Sequence, residues 1–249
     1  AFGELASGLV GEGRMAEPEE IISFIETNFS EPLPLNGKTF LITAGPTFES
    51  IDPVRFIGNH SSGKMGFALA ETASKLGAKV FLISGPTNQK LSDSSIDLTL
   101  ITSSDEMYEK VIAKYNSTDV VIMSAAVADF KPKIISSNKI KKSNQSLSIE
   151  VENTKDILSY LGEHKNNQLL IGFALETENE IENAKLKLKN KNLDLIVLNS
   201  LNDEGAGFSL DTNKITIISK GNKSINFPLK DKKSVSLDIV NNIIELINE

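Results

Sequence analysis

The sequence predicts an α/β protein: a Rossmann-like, mainly parallel sheet flanked by helices, with an antiparallel end and a protruding arm. Three observations predict it. Apolar runs of strand length, such as 40–44, 119–124 (DVVIMS) and 168–175, alternate with segments of helical period. The stretch 39–80 reads as strand, long loop, helix and second strand, with a glycine-rich turn of the kind at which anions bind. Towards the C-terminus, runs at 214–219 and 225–229 joined across Lys220-Gly221-Asn222 read as a hairpin, hence the antiparallel end.

In chain order, residues 1–16 carry four glycines and no clear period, and read as a loop belonging to something larger. Pro18, Glu19 and Glu20 suit a first helical turn, with Ile21, Ile22, Ile25 and Phe29 on one face. EPLPLNG at 31–37 is a linker, because two prolines around a Leu cannot continue a helix. The chain therefore divides into 1–36 and a main domain, 37–249, beginning near Gly37. After the opening unit, 97–101 is a short strand, and Ser103 with Glu106 forms a capping box ahead of Met107, Val111 and Ile112. The segment KPKIISSNKIKK at 131–142 carries five lysines and no acid, and 147–151 alternates like a strand, so 130–151 is expected to leave the sheet as an arm. A short helix starts at 157–161. Thr177 and Glu180 read as a second capping box, opening a helix with Ile181, Ala184 and Leu188 inward. A strand at 193–199 and a closing helix at 234–248 complete the pattern.

Composition narrows the chemistry. An apolar content of 40% with 24% charged residues supports an ordinary core. No run reaches the roughly 18 apolar residues of a membrane span, and the start lacks the order of a signal peptide, so a cytoplasmic protein is expected. The chain has no Cys and two His, His60 and His164, which excludes a disulfide framework, a thiolate nucleophile and a Cys- or His-rich metal site. Catalysis must come from Lys, Asp, Asn, backbone amides or a metal held by oxygen ligands. The net charge of −7 argues against nucleic acid as a partner.

Two motif readings compete around the glycine-rich turn. Gly58 to Lys64 fits the spacing G-x-x-x-x-G-K, but Met65 stands where a phosphate-binding P-loop needs a hydroxyl for magnesium. About a dozen residues also separate Gly45 from Gly58, whereas a P-loop follows its strand directly. SGKMGFALAETASKLGAKVFLIS has the cadence of an NAD(P)-dependent short-chain reductase. Yet the second strand ends in Ser84-Gly85-Pro86, without an acid or Arg to grip a ribose. None of Tyr108, Tyr115 or Tyr160 is followed four positions later by Lys. The loop retains the capacity to bind phosphate or carboxylate through backbone N–H groups.

ITAGPT, DPVRFIGNHSSGKMG, SAAVADFKPK, NKIKK, GFALET and the spaced lysines before NLDLIVLN, in this order over 37–249, resemble the phosphopantothenoylcysteine synthetase family. The leading ASGLVGEGRMAEP resembles the C-terminal end of phosphopantothenoylcysteine decarboxylase, fused ahead of the synthetase in many bacteria. Ser7 stands where that family often has Cys, and decarboxylase activity is not expected of this chain. The resemblance implies a ligase that uses CTP to join 4′-phosphopantothenate and L-cysteine through an acyl-cytidylate, releasing pyrophosphate and CMP, in coenzyme A biosynthesis. Magnesium is the implied cofactor, and a homodimer with the arm at its interface is the implied assembly. Such a reaction brings anions together and makes a carboxylate oxygen a leaving group, which calls for positive charge and metal rather than a nucleophilic side chain.

Carried onto this chain, the resemblance makes Asn59 the group that acts on the acyl-cytidylate, its amide able to hold the acyl carbonyl or developing oxyanion while cysteine attacks, and Lys139 the essential lysine that neutralises the triphosphate. It gives Ser124 and Ala125 to the cytosine, and Asp129 to the nucleotide and to magnesium. Lys155, Asp156, Ile157 and Leu158 become nucleotide contacts, Phe173 packs on the base or ribose, and Lys187 and Lys191 meet CTP. Lys131, Lys133, Lys141 and Lys142 read equally well as a solvated strip. Lys64 and the 58–66 loop are open to the phosphate of the pantetheine substrate. At 154–158 the family commonly has Pro where this chain has Lys155. A reductase, or a non-catalytic nucleotide-binding regulatory domain using the same crevice, remains the alternative.

Overall fold

The computed structural model describes residues 2–4, 9–12, 15–29, 32–142, 146–200, 210–221 and 223–249. The chain separates into two compact units, Ala1–Leu33 and Pro34–Glu249. In the first, β1 (Phe2–Glu4) pairs antiparallel with β2 (Val10–Glu12), so the stretch read as loop contains a small ladder. Helix α1 (Pro18–Phe29) follows, with Glu19 and Glu20 in its first turn, where they complement the helix dipole. Within this unit Ile22 and Ile25 are about half exposed, at 55% and 51%. The Ser7 position of the decarboxylase comparison lies outside the described residues.

The second unit is built on one eight-stranded sheet. Strands β3 (Thr39–Ala44), β6 (Lys79–Ser84), β7 (Asp97–Leu100), β8 (Val120–Met123), β11 (Leu169–Glu176) and β12 (Leu195–Ser200) are parallel. Their spatial order, β7-β6-β3-β8-β11-β12, is the 3-2-1-4-5-6 arrangement of doubly wound folds, whose switch point lies between β3 and β8. Strands β13 (Thr212–Ser219) and β14 (Ser224–Asp231) add the expected antiparallel end beside β12. Pro228 is tolerated because β14 is an edge strand. Asn222, in the expected turn, lies outside the described residues.

Helices cover both faces. On one, α2 (Lys64–Lys75) and α6 (Lys232–Asn248) pack together over a core that includes Phe40, Ile42, Leu69, Val80, Ile122, Ile239 and Ile243. On the other, α3 (Ser104–Tyr115), α4 (Ile157–Glu163) and α5 (Glu180–Asn190) cover Leu41, Met107, Val121, Leu161, Leu170 and Ile196. Leu35 is fully buried in the first of these cores, and its N–H donates to the Leu76 carbonyl. The central strands are apolar on consecutive positions because both faces are covered.

Four local readings are corrected. The long loop after β3 contains a hairpin, β4 (Phe48–Ser50) with β5 (Phe56–Gly58), in which the Phe48 and Phe56 rings stack. Helix α5 is capped by Asn179 in the left-handed region, φ 47°, without a side-chain cap, so Thr177 and Glu180 do not form the second box. Ile181 is 39% exposed; only Ala184 and Leu188 of the expected inward face are buried. Within 147–151 only Val151 is in a strand: β10 (Val151–Asn153) pairs antiparallel with β9 (Phe130–Pro132), a ladder apart from the main sheet. Just beyond that ladder the Lys133 N–H still donates to the Glu150 carbonyl at 3.0 Å, but 147–150 forms no strand. By contrast, the Ser103–Glu106 capping box is present in full.

Candidate functional site

The parallel strands point their carboxyl ends at one crevice, and a cavity of about 630 Å³ lies there. Its floor is made by close approach. Beyond β8, the Ser124 hydroxyl donates to the Thr43 carbonyl, the Ala125 N–H to Thr43 Oγ1, and the Ala126 N–H to the Gly45 carbonyl. A Cβ at Gly66 would stand 2.5 Å from Ala44 Cβ and 2.8 Å from Ser124 Oγ, so only glycine lets α2 start this near the switch point. The end of β6 is closed differently: a Cβ at Gly85 would lie 1.6 Å from the Pro46 carbonyl oxygen. The β3–β4 connection therefore fills the space beside Gly85, where a dinucleotide fold carries its ribose-gripping side chain.

Ten of the twelve residues singled out from the sequence line this cavity: Ser124, Ala125 and Asp129 after β8, Lys155 to Leu158 at the start of α4, Phe173 on β11, and Lys187 and Lys191 at the end of α5. Two pairs of them are already bonded to each other. Lys187 Nζ donates to the Phe173 carbonyl at 2.8 Å. Lys191 Nζ pairs with Asp156, whose other carboxylate oxygen caps α4 by accepting from the Ser159 N–H. Lys155 turns towards α3, 3.2 Å from Asp105 and over the Tyr108 ring.

Burial opposes the charge of Asp156, but the Lys191 ammonium and the Ser159 N–H outweigh it, leaving this carboxyl below its ordinary range. Burial pulls the Lys187 ammonium below its usual pKa, and the Glu176 and Asp156 carboxylates only partly offset it.

Asn59 and Lys139 are absent from the cavity wall. Asn59 lies just after β5 and reaches the wall from outside. Its Nδ2 donates to the Ala126 and Val127 carbonyls at 3.0 and 3.2 Å, which leaves Oδ1 as the group it can present. Lys139 is exposed on the arm. Of the neighbouring lysines, Lys131 is drawn into the fold by Asp105 at 2.6 Å, and Lys133 approaches Glu150 at 3.5 Å.

The opposite end of the cavity was missed from sequence, apart from Lys64. It is lined by Lys64 of α2, Asn199 of β12, Asn213 of β13 and Lys232 of α6. Asn213 donates to Asn199 at 3.1 Å, Lys64 pairs with Asp211, and Lys232, 8% exposed, donates to the Leu210 carbonyl. Burial first, then the nearby Lys64 charge, lowers the Lys232 pKa. Asn199 could have been found from its place at the carboxyl end of a buried parallel strand; Lys232 needs the tertiary fold.

In a chain of net charge −7, five lysines against two aspartates line this cavity. Fold and site together define a doubly wound, Rossmann-like α/β protein with an anion-attracting cavity at its switch point. Among the described residues no helix is long and apolar enough to cross a membrane, and no group of three or more His, Cys, Asp or Glu is gathered to hold a metal.

The chain belongs to the family described as the DNA/pantothenate metabolism flavoprotein C-terminal domain, whose model matches residues 35–247. It is 51% identical, over 99% of its length and 70% of the other's, to a cysteine/cysteine sulfinic acid decarboxylase from an unknown prokaryotic organism. It is 47% identical to the coenzyme A biosynthesis bifunctional protein CoaBC of Bacillus subtilis strain 168, over 98% of this chain and 61% of that protein. The chain thus spans about three fifths of the CoaBC protein it matches. The crystal structure of the C-terminal domain of a CoaBC protein superposes with a TM-score of 0.75 at 44% identity, covering 87% of this chain and 98% of that one.

Proposed function

We propose that the chain is a CTP-dependent ligase that joins 4′-phosphopantothenate to L-cysteine through an acyl-cytidylate, yielding 4′-phosphopantothenoylcysteine, CMP and pyrophosphate in coenzyme A biosynthesis. The observation that carries this reading is the lysine-lined cavity at the switch point, in a chain 47% identical to a CoaBC protein. Residues 37–249 form the synthetase domain, and residues 1–36 are the end of a fused decarboxylase domain plus linker.

The nucleotide lies against β8, α4, β11 and α5. The small Ser124 and Ala125 admit the base to backbone groups at the end of β8, and Phe173 offers an apolar surface to base or ribose. Lys187 and Lys191 meet the phosphates, and the anion replaces part of the carboxylate attraction they use now. Lys155 would contribute after turning from Asp105, with Asp156, Ile157 and Leu158 shaping the wall. Asp129 is exposed at the cavity and offers hard oxygen ligands, which fits a magnesium ion held by one carboxylate and substrate phosphates. Bound there, magnesium would neutralise phosphate charge.

The carboxylate of 4′-phosphopantothenate attacks the α-phosphorus, and pyrophosphate leaves with charge that the arm's Lys139 neutralises. The amine of cysteine then attacks the acyl carbon and CMP leaves. With its N–H groups spent on Ala126 and Val127, Asn59 serves this step as an acceptor, holding an N–H of the incoming amine. A donor role towards an oxyanion would require breaking one of those two bonds.

The arm and the β4–β5 hairpin also expose Val54, Phe56, Phe130, Ile134 and Ile135, with Ile134 85% accessible. A second copy covering these side chains gives the homodimer, and light scattering on wild type and Ile135→Glu tests it. Pyrophosphate released from CTP and 4′-phosphopantothenate before cysteine is added tests the function. No release, NADP binding without CTP, or carbon dioxide from cysteine instead would sink this reading. Competition between CTP and ATP decides the nucleotide.

A further inference from the structure

We propose that Asp52 is a positioning residue that latches the lysine arm to the Asn59 loop. The inference rests on the reading above for the role of Lys139, but the latch itself is read from geometry alone. Asp52 lies between β4 and β5 and is 2% exposed, which is rare for a carboxylate unless it is fully paired. Oδ1 accepts from the Val54 N–H at 2.8 Å and the Arg55 N–H at 2.9 Å. Oδ2 accepts from Arg55 Nε and Nη2, and from the Ile140 N–H at 3.1 Å. Arg55 completes the grip, because its Nη2 also donates to the Ile140 carbonyl at 2.7 Å.

Both polar groups of Ile140 are thus held by one ion pair, a buried carboxylate with a partly exposed guanidinium, whose partners come from 85 and 88 residues earlier in the chain. A second tie, the Ser136 N–H to the Ile51 carbonyl at 3.0 Å, fastens the arm four residues before Ile140. Between these ties stands Lys139. The same loop runs on through β5 into Asn59, which is bonded to the cavity wall. Four of the five acceptor contacts on Asp52 come from its own turn and would exist without the arm. The fifth, from Ile140, joins the arm to the turn, beside the Arg55–Ile140 and Ser136–Ile51 bonds. Asp52 therefore fixes where Lys139 starts from relative to Asn59, while Lys139 keeps a mobile side chain long enough to follow the leaving pyrophosphate.

The test compares wild type with Asp52→Asn and with Ile140→Pro. The latter removes the arm's donor, at the cost of a fixed φ at 140 and a restricted backbone at Lys139, and leaves the Asp52–Arg55 turn intact, should the former fail to fold. Hydrogen exchange of the 136–142 segment should be slow at Ile140 in wild type and roughly tenfold or more faster in Asp52→Asn, the loss of one charge-assisted bond. The kcat for pyrophosphate release should fall by about tenfold, with KM for CTP within about twofold, because the lysines on the cavity wall are untouched. Unchanged exchange in folded Asp52→Asn overturns the latch. Faster exchange with unchanged kcat in both variants overturns its role in the reaction. If wild type releases no pyrophosphate, the ligase reading fails, and the exchange contrast alone decides whether the latch exists.

Discussion

Lys187 and Lys139 are both assigned to the same triphosphate, and they differ in almost every physical respect. Lys187 is largely buried on the cavity wall, bonded to the Phe173 carbonyl and shifted in pKa by its burial. Lys139 is exposed, off the wall, on a stretch of the arm tied to the Ile51–Arg55 turn at Ser136 and Ile140. One is a group set before the ligand arrives, which suits binding that is equally strong in ground and transition state. The other must come to its ligand, which suits charge that develops only as a bond breaks.

The largest effect should come from the mobile partner. Lys139→Met should lower the rate of pyrophosphate release by roughly a hundredfold or more, the cost of losing a charge that is met only as the bond breaks, with the Kd for CTP within about threefold. A parallel loss of CTP affinity would abolish the contrast. Asn59→Asp comes next. Two carboxylate oxygens facing the Ala126 and Val127 carbonyls lose both anchoring bonds, so product formation with cysteine should drop by about tenfold or more while activation persists. Equal losses in both steps would contradict a role confined to the amine. Lys187→Met should do the reverse of Lys139→Met: a Kd for CTP weakened by about tenfold, one charge-assisted contact, with a smaller change in the rate from the bound state.

The pH dependence of binding sharpens the same comparison. Burial lowers the Lys187 pKa below 10.5, so its charge is lost as pH rises through that lowered value. CTP affinity should therefore begin to fall before an ordinary lysine would titrate, and the early fall should vanish in Lys187→Met. For stability the sign is opposite. Between the lowered value and 10.5 the unfolded chain binds more protons, so this group's contribution rises with pH. The smallest effect belongs to a residue outside both regions. Tyr115, its pKa raised to about 12 by burial and then by Asp194, donates to the Leu161 carbonyl at 2.8 Å. Tyr115→Phe should cost about 1 kcal/mol in urea unfolding and leave both half-reactions unchanged.

Much of the fixed wall was legible in the sequence because its information is local. A buried parallel strand announces itself as an apolar run, and its carboxyl end marks the crevice, so Ser124, Asp129 and Phe173 follow from strand positions once the family resemblance supplies their roles. The Ser103 capping box is equally local, the whole device lying within four residues. Thr177 and Glu180 have the same spacing, yet Asn179 adopts the left-handed region and starts the helix another way. Spacing alone cannot tell which backbone conformation wins at a cap. The β4–β5 hairpin is short and its strands follow no long alternation; it is held by the Phe48–Phe56 stack and by the Asp52 turn. At the Lys64 end of the cavity, Lys232 was illegible for a plainer reason, since it lies on a helix far from Lys64 in sequence that meets it only in the tertiary fold.

That meeting of α2 and α6 has a consequence for how the chain is made. Thr72 and Ser236 share a hydrogen bond of 2.6 Å, and Val235, Ile239, Val240 and Ile243 fill the same core as Leu69, Ala70 and Ala73. During synthesis the first crossover helix must wait, apolar face uncovered, until residues near 243 have emerged, roughly 10 s or more at ordinary ribosomal speeds. The nascent chain would then be a client for chaperones throughout that interval, and a ribosome stalled before α6 would hold a sheet with one face only half covered, by α2 alone.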